Sequence, residues 1–217
     1  MADEFPQADI IGTDLSPIQP RWVPPNCSFE VNDYESDWGF TKPFDFIHAR
    51  NLQGSVRDLL SLYQHIKNNL NPGGWVEMVD FAGDGFFSDD GSMQRAPNLT
   101  EWFRLHHEAS AKFGKDFDVA RHHPQRMIDA GFKNVKEDVY KVPLNSWPKD
   151  RKLKDIGRYQ QLNMIEGMEA YSLALFTRFL GWSIQEVHAF FAGVRRELVD
   201  RSLHVYTKFY FVYGQKE

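Results

Sequence analysis

The stretch FDFIHARNLQGSVRDLLSLYQHIKNNLNPGGWVEMVDF, Phe44–Phe81, decides the fold. Phe44–Ala49 (FDFIHA) is a short apolar run that stops at Arg50-Asn51, as a buried strand does. Over 55–70, Val56, Leu59, Leu60, Tyr63, Ile66 and Leu70 recur at helical spacing, which predicts an amphipathic helix. Asn71-Pro72-Gly73-Gly74 ends it, because Pro cannot continue a helix and Gly tolerates the turn. Trp75–Asp80 (WVEMVD) is the next strand. Strand, helix, strand is a βαβ unit and implies a parallel sheet.

Upstream, Ala8–Thr13 (ADIIGT) reads as a buried strand ending in Asp14, residues 16–26 as a proline-rich loop, and Cys27–Val31 (CSFEV) as a second strand ending at Asn32-Asp33. Downstream, residues 82–97 form a polar loop. Leu99–Phe113 and Val119–Ala130 are expected helices, the latter closed by Gly131. Phe132–Val142 is an expected strand and 155–181 a long helix. Ser183, with Glu186 three residues on, is a capping box for a helix to about Asp200. Ser202–Tyr213 is a closing strand, apolar on both faces and so interior. The expected architecture is one α/β domain over 1–217, a sheet with helices on both faces, with 82–131 and 143–201 as a helical, substrate-side cap.

Composition narrows the function classes. The chain has 217 residues, 42% apolar and 25% charged, and a net charge of −5. That fits a folded domain, and no Lys/Arg run is long enough for a nucleic-acid surface. No stretch of 18 apolar residues suggests a membrane span. The single cysteine, Cys27, excludes an intrachain disulfide framework, and an acidic start (Asp3, Glu4) argues against a targeting peptide, so cytoplasm or nucleus is expected. No Cys/His cluster has zinc spacing, and no metal is expected.

In open parallel sheets ligands bind at the carboxyl ends of strands. Three such ends carry polar groups here: Asp14, Asp33, and His48 with Arg50. His106, His107, His122, His123 and His204 are further candidate bases, but adjacent histidines on a helix point about 100° apart and cannot share one site. Glu77, inside a strand, calls for a basic partner that the sequence does not name. Trp102, Phe103, Trp147, Tyr159, Met164, Met168 and Tyr171 suit a substrate pocket or, for most of them, ordinary core.

These segments, together with ADEFPQADIIGTDLSPIQPRWVPPNCSFEVND, the tail WPKDRKLKDIGRYQQLNMIEGMEAYSLALFTRFLGWS and RSLHVYTKFYFVYGQK, resemble the fungal LaeA-like class I methyltransferases, commonly associated with secondary metabolism. The resemblance covers almost the whole chain. It implies S-adenosylmethionine (SAM) as cofactor and a sheet of order 3-2-1-4-5-7-6 with strand 7 antiparallel. It further implies that Asp14 binds the ribose hydroxyls, Asp33 the adenine amino group and Tyr34 the adenine face. His48, Ala49 and Arg50 would border the methionine moiety, with His48 as candidate catalytic base and Leu15 and Leu52 as apolar walls.

The family also implies a first strand and a D-x-G-x-G-x-G loop ahead of the segment matching MADEFPQ, and the sequence as given starts without them. The expected fold is therefore this Rossmann-like sheet with the first strand missing. Either the two flanking strands pair directly, or a gap stays open, or another chain fills it. Loss of the loop removes several hydrogen bonds of about 0.5–1.5 kcal/mol each, so SAM affinity should fall roughly a thousandfold or more. Two functions follow: a methyltransferase acting on a small molecule, or a non-catalytic, methyltransferase-like regulatory subunit acting through protein partners or as a homo-oligomer.

Overall fold

The computed structural model describes residues 1–20 and 22–217; Arg21, inside the expected 16–26 loop, lies outside the described residues. The elements in chain order are β1 (Ile10–Asp14), β2 (Cys27–Val31), β3 (Phe44–Arg50), α1 (Leu59–Asn68), β4 (Leu70–Phe81), α2 (Pro97–Phe113), α3 (His123–Asp129), β5 (Lys133–Pro143), α4 (Arg151–Phe179), α5 (Ile184–Val199) and β6 (Tyr206–Gln215). They form two sheets. β1 and β2 pair in parallel, and β3-β4-β6-β5 make a second sheet. β3 and β4 are parallel; β6 is antiparallel to both β4 and β5. The two flanking strands do not pair directly as one expectation had it: β1 and β3 each keep one edge without a sheet partner among the described residues.

The decisive βαβ unit forms with two boundary changes. The helix begins at Leu59, not Ser55, because Asn51 (φ 56°) and Gly54 (φ 71°) turn the chain sharply first. Asp58 then caps α1, its carboxylate accepting from Ser61 N at 3.0 Å. Strand β4 takes in the Asn71–Gly74 segment: Leu70 pairs with Phe44, and the register jumps before Phe46 meets Trp75. The segment is pinned from outside the unit, Gly73 N donating to Lys216 O at 2.8 Å and Lys216 N to Gly74 O at 2.9 Å. β6 starts at Tyr206 rather than Ser202, because Asp200 and Ser202 close a turn (2.8 Å) and Leu203 and Val205 are drawn into a helical core.

That core is one of two. Leu62, Tyr63 and Ile66 of α1 and Met127 of α3 pack with Val76, Met78, Tyr210 and Val212 on one sheet face. α2, α4 and α5 build the other around Trp102, Phe103, Met164, Met168, Phe176, Phe191 and Val194. Four of the seven candidate pocket residues thus sit in core, whereas Tyr159 (76%) and Tyr171 (48%) are exposed. The capping box of α5 is present, Ser183 N donating to Glu186 at 2.7 Å and Glu186 N to Ser183 Oγ at 3.2 Å.

Candidate cofactor cleft

The gap between the sheets is a cleft of about 480 Å³. β1 and β3 run along it with their carboxyl ends on its walls. Of the residues expected to hold a cofactor, Asp14, Leu15, Tyr34, His48, Ala49 and Arg50 line it, as does Leu52. Asp33 does not. Its carboxylate accepts from Glu35 N at 2.9 Å and its carbonyl from Ser36 N at 3.0 Å, so it shapes the turn that presents Tyr34. Its neighbour Asn32 lines the cleft instead. Asp14 keeps its strand-end position, one oxygen accepting from Ser16 N at 2.8 Å. A carboxylate carries enough lone pairs to cap this turn and still receive two hydroxyl donors.

Tyr34 is fixed from outside. Its hydroxyl donates to Ser55 Oγ at 2.8 Å, and Ser55 Oγ donates to Leu52 O at 2.6 Å. Burial, the largest influence, raises the phenol's pKa, so it remains a donor. An aromatic wall completes the cleft: Trp38, Phe40 and Phe44 meet edge to face, with centroids 6.0 and 4.9 Å apart, and Trp38 Nε1 donates to Tyr34 O at 3.0 Å. These rings were missed in the sequence reading. Their signal was two aromatics, Trp38 and Phe40, in a segment that fitted neither helix nor strand, just ahead of Phe44 at the start of a strand.

The partner of Glu77 is His48. The two are opposite each other in the β3–β4 ladder, and His48 Nδ1 lies 2.8 Å from Glu77 Oε2. The other histidines do not line this cleft. His106 is buried between Trp102 O (2.9 Å) and Tyr171 O (3.3 Å), and burial lowers its pKa. His107 bonds Gly83 O, and His204 contacts Asp90 at 2.7 Å. His122 is exposed, and His123 is buried beside Asp80. A second hollow, about 320 Å³, lies where the loop after β4 meets α2 and includes Asp84, Phe103, Arg104 and His107.

The cleft runs the length of β1 and β3, from Ile11 and Phe44 to their carboxyl ends, so its volume is that of the whole gap, and the cofactor groups gather at the strand ends. A strand-end carboxylate, a clamped tyrosine and aromatic walls suit a ribose, a flat base and apolar stems, so the residues present fit SAM. The strand order, with antiparallel β6 inserted between β4 and β5, and polar groups at the carboxyl ends of β1 and β3 define a class I SAM-dependent methyltransferase. Residues 1–137 match the family model described as Methyltransferase domain. The chain is 37% identical over 217 residues to "Methyltransferase pytC" of Aspergillus terreus, covering all of this chain and 67% of the relative. It is 37% identical over 210 residues to "Secondary metabolism regulator LAE1" of Cochliobolus heterostrophus, covering 95% and 68%. Among solved structures, the SAM complex of Haemonchus contortus phosphoethanolamine N-methyltransferase 2 matches with a TM-score of 0.53 at 17% identity, over 100% of this chain and 45% of that one. The [4+2]-cyclase SpnF matches with 0.52 at 15%, over 96% and 67%; these two support the fold alone. The chain belongs to the methyltransferase-domain family, in its fungal LaeA-like group, and its cofactor is S-adenosylmethionine.

Proposed function

We propose that the chain holds SAM between the ends of β1 and β3 and methylates a small molecule of secondary metabolism. One observation carries this reading: Asp14 and Tyr34 face Ala49 and Arg50 across a single cleft. In this reading Asp14 takes the ribose hydroxyls, Tyr34 stacks on the adenine, and Leu15 and Leu52 cover the apolar stem. Asn32 replaces Asp33 beside the adenine. SAM supplies an electrophilic methyl group on a sulfonium. The chain's own contribution is position and exclusion of water. Where the acceptor reacts with loss of a proton, His48 receives it, held in orientation through Nδ1 by Glu77. The α2–α4–α5 layer is the acceptor-side cap.

Calorimetry with SAM tests the reading on this chain and on a version extended upstream. Asp14→Ala should weaken binding by tenfold to a hundredfold, the equivalent of about 1.5–3 kcal/mol for hydrogen bonds to a charged group. Binding indifferent to Asp14 in both versions would sink it. A second reading, a regulatory subunit acting through protein partners, draws support from exposed apolar residues on the β1–β2 unit, Ile11, Phe29 and Val31, and from relatives named as regulators. Light scattering separates the two. A stable oligomer that ignores SAM favours the subunit; a monomer that releases S-adenosylhomocysteine when given SAM and small-molecule extract favours the enzyme.

A further inference from the structure

Three side chains with no place in the cleft are joined in a line inside the molecule. Asp80, His123 and Tyr63 are each 0% exposed. Asp80 Oδ2 lies 2.8 Å from His123 Nε2, and His123 Nδ1 lies 2.5 Å from the Tyr63 hydroxyl. The line ties β4 to α3 and α1. A buried carboxylate is costly unless its oxygens are satisfied. Asp80 solves this on its other side, where Oδ1 accepts from Leu52 N at 2.8 Å and Gln53 N at 3.4 Å.

Those two amides belong to the loop that leaves β3. The β3–β4 ladder ends with Arg50 opposite Val79, and Asn51 N still donates to Val79 O at 2.9 Å. Asn51 then takes a left-handed turn (φ 56°), and the backbone parts from β4. Asp80, the next residue of β4, continues with its side chain the bonding that the backbone has abandoned. The loop so held carries Leu52, on the cleft wall, and Ser55, which receives the hydroxyl of Tyr34.

We propose that Asp80, oriented by His123 and Tyr63, is a positioning residue of the cofactor cleft: its carboxylate sets the 52–55 loop and, through it, both the Leu52 wall and the Tyr34 ring. The proposal includes a proton pattern. The carboxylate only accepts, so Nε2 carries the hydrogen and Nδ1 receives the Tyr63 O–H. Burial raises the phenol's pKa and keeps that proton in place. Asp80→Asn then has a defined outcome. Its oxygen still serves Leu52 and Gln53, but its amide N–H meets Nε2, so the imidazole must switch to the Nδ1–H tautomer and donate to Tyr63.

The inference rests on the SAM reading for its functional part alone, and the experiment separates the two. Nitrogen-15 NMR of His123, amide hydrogen exchange at Leu52 and Gln53, and SAM calorimetry are measured on the wild type, Asp80→Asn, Tyr63→Phe and the distant control Ser183→Ala. Expected are an Nε2–H tautomer in the wild type and its inversion in Asp80→Asn. Tyr63→Phe should give exchange at Leu52 and Gln53 and a SAM Kd each raised by about tenfold, beyond the control. An Nδ1–H tautomer in the wild type overturns the proposal. So does a Tyr63→Phe variant matching Ser183→Ala in exchange and Kd. If no variant binds SAM, either in this chain or in the version extended upstream, the cofactor reading fails, and tautomer and exchange still decide whether the relay sets the loop.

Discussion

Gly83 stands just past β4, where the backbone of the 115–118 segment closes on it. A Cβ there would lie 2.2 Å from Phe117 O and 2.4 Å from Asp118 Cα, so no side chain fits without moving backbone. The same segment braces the loop beside the cofactor cleft, since Gly54 N donates to Asp116 O at 2.9 Å and Lys115 Nζ to Ser55 O at 2.5 Å. Gly83→Ala should therefore cost about 1–3 kcal/mol, read as a lower thermal midpoint, and weaken SAM binding with it. His106 makes a separate prediction. Its folded pKa lies below the ordinary 6.5 because it is buried. Unfolding lets it take up a proton, so its part of the stability is whole above pH 6.5 and is lost as pH falls through that value. Chemical denaturation against pH should show this slope, at most about 1.4 kcal/mol per pH unit, and His106→Gln should flatten it.

Among the helices, two kinds of cap can be compared. Ser183 and Glu186 cap α5 from within their own four-residue span, and Ser183→Ala should cost about 1 kcal/mol. α2 has no side-chain cap of its own, because Ala96 precedes Pro97. Glu197 of α5 supplies it, its carboxylate accepting from Asn98 N at 3.0 Å, Leu99 N at 2.7 Å and the Asn98 side chain. A carboxylate at a helix N-terminus also meets the positive end of the helix dipole. Glu197→Ala should cost about 2–3 kcal/mol, more than the local cap, because it strands amide donors at the α2–α5 contact. Urea titration of the two variants compares them directly. The Ser183 cap was legible in the sequence. The Glu197 cap was not, because its donors lie 98 and 99 positions away.

At the scale of the molecule, the β1–β2 pair is the weakly held part. It is a two-stranded sheet with exposed Ile11, Phe29 and Val31, facing the four-stranded sheet across the cleft without ladder bonds. An isolated pair of strands is marginal in water. Amides of β1 and β2 should exchange at least about a hundredfold faster than those in the β4–β6 ladder, and SAM bound across the gap should slow them. Mass-spectrometric hydrogen exchange with and without SAM checks both statements.

Local order was written in the sequence because it depends on near neighbours. The spacing of Leu59, Tyr63 and Ile66, the box at Ser183 and the apolar runs at 27–31 and 44–49 needed only a few adjoining residues to interpret. The family resemblance added the strand order and placed Asp14, Tyr34 and Arg50 on one cleft. What needed the folded chain was every pairing across distance. Glu77 found His48, Asp80 found His123 and the Leu52 amide, and Glu197 found α2. The exchange of Asp33 for Asn32 in the cleft and the aromatic wall at Trp38–Phe44 belong to the same class. A buried charge or a pocket wall is defined by what packing brings to it from other elements, and neither propensity nor period encodes that meeting.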